Sequence, residues 1–200
     1  MGKIIHGNKN CGYAPIIDSG GGTYTFGSPV MLPGLVGATI EVEQSSTNIY
    51  ADDTVFCSVK GAKVRTANLT FRNIPASYAP YLGFVANANG ELTDTGSFAN
   101  HCIFFETEEE DCDSGTSTTT LHYLYNVQGS EPTHESQTDE EEVEAAEIEV
   151  EYSARESNFV KDDNNNYVQY GYITRTNTNA NLYDTFKTAV ILPTDSIPTI

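Results

Sequence analysis

The stretch "EAAEIEVEYSA", residues 144–154, decides the fold. Glu147, Glu149 and Glu151 alternate there with Ile148, Val150 and Tyr152. Successive side chains of an extended strand point to opposite faces, so a period of two predicts a strand with one apolar face and one carboxylate face. Like charges aligned on one face repel, and an ordinary surface strand would interleave lysine or threonine. The same order occurs upstream, with "IEVE" at 40–43 as well as at 148–151. Held in one sheet, Glu41 and Glu43 would join Glu147, Glu149 and Glu151 in a continuous acidic wall; apart, they are solvated carboxylates on an acidic surface.

Outward from this strand, β signals dominate. Residues 1–33 are short apolar pieces broken by glycine, which predicts an extended arm or a loose hairpin about Gly20, Gly21 and Gly22. "AKVRTANLTFRNI" (62–74) is rich in polar and β-branched residues and predicts a strand. "PASYAPYLGFV" (75–85) is the helix candidate, with Tyr78, Leu82 and Val85 at helical spacing, and Pro80 limits it to about two turns or kinks it. Asn89-Gly90 predicts a hairpin. Two long strands, "FANHCIFFETE" and "TTTLHYLYNVQ", flank the acidic linker "EEEDCDSGTS". Residues 138–154 give the next strand, "YVQYGYITR" (167–175) another, and "LYDTFKTAVI" (182–191) a short terminal helix. The fold class predicted is mainly β, a sandwich or partial barrel with one flanking α-helix, in a single domain over 1–200 with 1–33 as the arm.

Charge narrows the function. Twenty-eight acidic residues against 10 basic ones give a formal net charge of −18 over 200 residues. Such a surface repels nucleic acid and anionic membrane, which argues against a conventional nucleic-acid binder. The opening "MGKIIHGNKNCGYAPII" lacks the apolar core of a signal peptide and no later segment is apolar enough to span a bilayer, so the chain is expected to be made inside the cell without membrane anchoring. Cys11, Cys57, Cys102 and Cys112 show no CxxC spacing, which favours free thiols over a zinc site or a disulfide.

Catalytic signals are sparse. His6, His101, His122 and His134 are scattered, without a nucleophile elbow or HExxH, and "SGGGT" lacks the lysine and following helix of a phosphate loop. His101 and His122 fall in neighbouring predicted strands and could face one another. No catalytic residue, cofactor or metal is assigned. The run "ETEEEDCD" (106–113) could offer carboxylates to calcium, but it lacks the ligand alternation of a calcium loop and reads as a solvated hairpin tip. The alternative function is therefore a monomeric acidic β-sandwich module that binds calcium or carbohydrate, with a carboxylate-pair hydrolase ranked last.

Several segments in order carry a resemblance. "MGKIIHGNKNCGYAPI", "LPGLVGATIEVE", "NIYADDTVF" followed by "ANLTFRNIPASYAPYLG", and "HYLYNVQGSEPTHESQTDEEEVEAAEIEVEYSAR" resemble the major tail proteins of long-tailed, non-contractile phages of Gram-positive hosts, over most of residues 2–154. The resemblance implies a structural virion protein, not an enzyme. Such subunits form hexameric rings stacked into a tail tube, each lending hairpins to a shared β-barrel that lines a conduit for genome ejection. It implies as partners further copies of the chain, a tape measure protein and tail-end proteins, with double-stranded DNA passing unbound. Location would be the virion tail, after assembly in the host cytoplasm. On this reading Glu41, Glu43, Glu147, Glu149 and Glu151 face the lumen, and the arm 1–33 together with Glu108, Glu109, Glu110 and Asp111 is expected to make contacts between rings.

Overall fold

A strand whose alternate residues are apolar needs a sheet with one covered face, and the computed structural model, which describes residues 3–134 and 146–197, supplies it. In chain order the strands are β1 (Lys3–Asp18), β2 (Tyr24–Phe26), β3 (Val30–Met31), β4 (Leu35–Ala51), β5 (Thr54–Phe71), β6 (Phe84–Ala86) and β7 (Leu92–Asp94). They continue as β8 (His101–Asp111), β9 (Thr116–Gly129), β10 (Thr133–His134), β11 (Ile148–Ala154) and β12 (Tyr170–Thr174). The principal sheet runs β2-β1-β8-β9-β11-β5-β4, with β3 on β1, β10 on β11 and β12 on β9, while β6 and β7 pair apart. The molecule is mainly β, as the alternation predicts.

Two apolar clusters fix the layers. One gathers Tyr13, Leu69, Ile103, Phe105, Leu124, Val150 and Tyr152 on the inner side of the sheet. The other sets Cys102, Phe104, Leu121 and Tyr123 against Tyr183, Phe186 and Val190 of the C-terminal segment. β8 and β9 thus have covers on both faces, and the unbroken run "CIFF" (102–105) follows from that double burial. β11 has one cover: Val150 and Tyr152 are buried while Glu149 and Glu151 are exposed. Burying a side chain of this size stabilises by about 1.5–3 kcal/mol, which fixes the register of the strand.

Two long hairpins result. Asp52 and Asp53, both at positive φ (49° and 59°), make the two-residue turn that closes β4 on β5 through the Ala51–Thr54 pair. β8 and β9 pair from the core out to Asp111 and Thr116, closed by residues 112–115. The acidic linker of the sequence reading is therefore mostly strand, and the tip is shorter than expected. Residues 3–31 supply β1, β2 and β3; β1 lies between β2 and β8, and the glycine hairpin turns at 19–23. Gly12 on β1 has no room for a side chain, because a Cβ there would lie 2.5 Å from Phe104 Cζ and 2.8 Å from the Val30 carbonyl.

The helix expectations need correction. Ala76–Tyr81 is a 3-10 helix, with Tyr78 N–H donating to Pro75 O (2.9 Å) and Leu82 N–H to Ala79 O (3.0 Å). Pro80 sits inside it without an N–H to continue an α-helical ladder. The α-helix of the described residues is the single turn Ala180–Tyr183, which runs into the 3-10 turn Asp184–Lys187. Of the strand expected over 138–154, the part before residue 146 lies outside the described residues.

Candidate functional site

Register places the glutamates. Directly opposed residues of antiparallel strands share a face, and β5 lies between β4 and β11. Glu149 opposes Thr70 and Glu151 opposes Asn68, while on the other side Thr66 opposes Glu41 and Val64 opposes Glu43. Glu41, Glu43, Glu149 and Glu151 therefore stand on one exposed face, in two rows separated by the polar stripe Thr66, Asn68 and Thr70. Glu147, just ahead of β11, shares that side, where Arg72 Nη2 lies 3.1 Å from its Oε1. The two rows are two strand spacings apart, about 9.5 Å. That is close to the screening length of roughly 8 Å at physiological salt, so their fields overlap and strengthen as salt falls. The opposite face of the same strands carries Ala67, Leu69, Val150 and Tyr152, all buried.

The second acidic group behaves differently. Glu108, Glu109, Glu110 and Asp111 lie within β8, paired to β1 on one side and β9 on the other. Strand geometry parts them: Glu108 and Glu110 point to one face with Glu106, Glu109 and Asp111 to the other. They do not converge as a calcium cage would need. Lys9 Nζ reaches Glu108 Oε2 at 3.2 Å and His6 Nε2 lies 3.5 Å from Glu110. Hydrogen bonds from Ser117 and Lys9 hold the Glu108 carboxyl below its usual range. Asp111 folds its carboxylate onto the turn, accepting from the N–H groups of Asp113 (2.8 Å) and Ser114 (3.2 Å). Glu106 is buried, accepting from Tyr183 Oη at 2.6 Å and from Asn10 Nδ2.

His101 and His122 lie on adjacent strands but belong to separate networks. His101 Nε2 meets Tyr78 Oη at 2.6 Å and His122 Nδ1 meets Tyr170 Oη at 2.7 Å, with Thr107 Oγ1 2.9 Å from Nε2. Burial lowers the proton affinity of both rings. Cys11 and Cys102 are buried free thiols, whereas Cys57 and Cys112 are exposed towards the ends of the two hairpins.

Two features carried no sequence signal. Beyond Glu43 and Val64 the β4–β5 hairpin leaves the core with apolar side chains in solvent, among them Tyr50 (67% exposed) and Phe56 (75%). At its base, between β4 and the β8–β9–β12 layer, opens a cleft of about 360 Å³ walled by Ile5, Ala38, Ile40, Phe105, His122 and Tyr172. Tyr170 also lines it, and the Arg65 guanidinium lies 4.3 Å from the Tyr170 ring centroid.

β4, β5 and β11 thus spend one face on packing and the other on carboxylates, in a mainly β protein whose β4–β5 hairpin outruns its own core. The chain belongs to the phage tail tube protein family, whose model matches residues 2–199. It is thus a major tail protein, a structural component of the phage virion. No curated protein matches it.

Proposed function

We propose that copies of this chain close into hexameric rings which stack into the tube of a non-contractile tail, and that the face bearing Glu41, Glu43, Glu147, Glu149 and Glu151 lines the bore through which the genome leaves. The observation that carries this reading is the shared, exposed face of those glutamates, backed by a buried apolar face. A wall strand in a wide barrel must meet water on one side and pack on the other, which is this alternation. Barrels of 16–18 strands already enclose an aqueous channel, and about four strands from each of six subunits make a wall of roughly 24.

Carboxylates suit such a bore because they repel phosphate at short range. An inward lysine would release counterions from DNA and hold it, steepening the salt dependence of binding by about 0.9 per contact. DNA then passes as a partner without being bound. The ends of the tube meet a tape measure protein and tail-end proteins, and assembly takes place in the host cytoplasm, the host being Gram-positive. Closure also pairs the free edges of β4 and of the outer half of β5, which an isolated subunit leaves exposed. The Glu108, Glu109, Glu110 and Asp111 end of the β8–β9 hairpin is proposed to meet the next ring.

The test is charge reversal on the face alone. Phage carrying Glu41, Glu43, Glu149 and Glu151 all changed to lysine should build tubes of normal length by negative-stain microscopy but eject DNA slowly, with the defect relieved by high salt. Normal plating and ejection by such phage would refute the bore assignment.

A further inference from the structure

The chain's basic groups are few, and one of them is out of place. Arg65 is only 9% exposed, and its Nε has no hydrogen-bond partner. Its guanidinium lies over the Tyr170 ring, and among the described residues no carboxylate pairs with it, in a chain of 28 acids. Burying a charged donor without a partner is costly, so such a group marks a place where a counter-charge arrives from outside. Arg65 points to the same side of β5 as the buried Ala67 and Leu69, away from the glutamate face, so neither those glutamates nor DNA passing along them can supply it. Lys63, two residues along β5, adds a second cation on the same face.

The surroundings specify the visitor. Beside Arg65 lies the cleft of about 360 Å³, whose lining combines Ile40, Phe105 and Tyr172 with Glu109 on the β8 wall, so the incoming segment fits best with its carboxylate at Arg65 and bulky apolar side chains in the cleft. The β4–β5 tip has that composition: Asp52 and Asp53 in the turn, then Val55 and Phe56, both more than half exposed. The tip cannot reach its own Arg65. That residue pairs with Val42 at the base of the hairpin, and the strand from Val42 to Ala51 extends about 30 Å from it.

We propose that Arg65 anchors an interface between copies of this chain: it receives the carboxylates of Asp52 and Asp53 of a second copy, while Phe56 of that copy enters the cleft beside Tyr170. The guanidinium, stacked on Tyr170 and with its Nε unpartnered among the described residues, donates to the carboxylate oxygens, and the aromatic walls take the phenyl ring. The inference rests on the reading that the chain assembles with itself, and it names the surfaces that meet.

Purified full-length protein is concentrated stepwise and followed by sedimentation velocity and negative-stain microscopy. The wild type is expected to form rings or tubes. Asp52→Asn with Asp53→Asn keeps the turn, since asparagine tolerates positive φ, and should raise the concentration needed for assembly by about ten- to a hundred-fold. Arg65→Glu, which leaves the turn untouched, should raise it at least as far. Either an Asp52→Asn/Asp53→Asn protein or an Arg65→Glu protein that assembles at the wild-type concentration overturns the interface. A wild type that stays monomeric at every concentration removes the tube reading and this interface together; a wild type that polymerises beside indistinguishable variants removes the interface only.

Discussion

Mild acid should loosen the core through His101. The ring is wholly buried, with Nδ1 3.1 Å from the Ala99 carbonyl and Nε2 2.6 Å from Tyr78 Oη. A carbonyl only accepts, so Nδ1 carries the proton and Nε2 faces the Tyr78 hydroxyl, which also meets Tyr152 Oη at 3.1 Å. A second ring proton would have to displace the Tyr78 bond in a dry site, and burial accordingly holds the imidazole at about 4 against an ordinary 6.5. Between those two values the unfolded chain binds the proton and the fold does not. The contribution is therefore complete above pH 6.5 and is lost as pH falls towards 4. At about 1.36 kcal/mol per pH unit the full loss is about 3 kcal/mol, of which about 2 kcal/mol is gone by pH 5. Urea unfolding of wild type and His101→Gln at pH 7 and pH 5 isolates this part, because the carboxylates titrate alike in both proteins. Wild type should lose about 2 kcal/mol more than the variant between the two pH values. Parallel losses within about 0.5 kcal/mol would refute the assignment of a neutral ring locked by Tyr78.

Two further outcomes check the layers. Val150→Ala, on the packed face of β11, should cost about 2 kcal/mol in thermal or urea unfolding, whereas Glu149→Gln next to it should change stability by no more than about 0.5 kcal/mol. Titration of the native protein with a chromophoric disulfide reagent should modify Cys57 and Cys112 promptly. Cys11 and Cys102, whose burial raises their thiols far above the ordinary range, should react only after denaturant is added.

The sequence was legible where a strand has one wet face and silent where it has none or two. Ile148 to Tyr152 and Ile40 to Glu43 alternate because packing acts on one side of them, and both were placed in strands from that pattern. β1 gave no such period: Cys11 and Tyr13 pack into one cluster and Ala14 into the other, with Asn10 and Gly7 at positive φ breaking the rhythm. It therefore read as an arm. Glu106 was counted with a solvated linker, since nothing in "FETEEED" tells that Tyr183, 77 residues later, reaches back to its carboxylate. Pro80 warned of a short helix but could not tell an α-turn from a 3-10 turn. The shared face of the glutamates depended on which strand intervenes, a matter of topology that no local window contains. Arg65 was invisible for the same reason: the ring it stacks on belongs to Tyr170, more than a hundred residues away.

β11 separates two kinds of information along one short strand. Its odd-numbered Glu149 and Glu151 are exposed, and the even-numbered Val150 and Tyr152 do the packing. Evolution, or a designer of protein nanotubes, is free to rewrite one set while leaving the other untouched. Charge, polarity or a chemical handle could be exchanged at Glu149 and Glu151 much as a lining is changed in a coat, with the tailoring of the garment kept in the residues between.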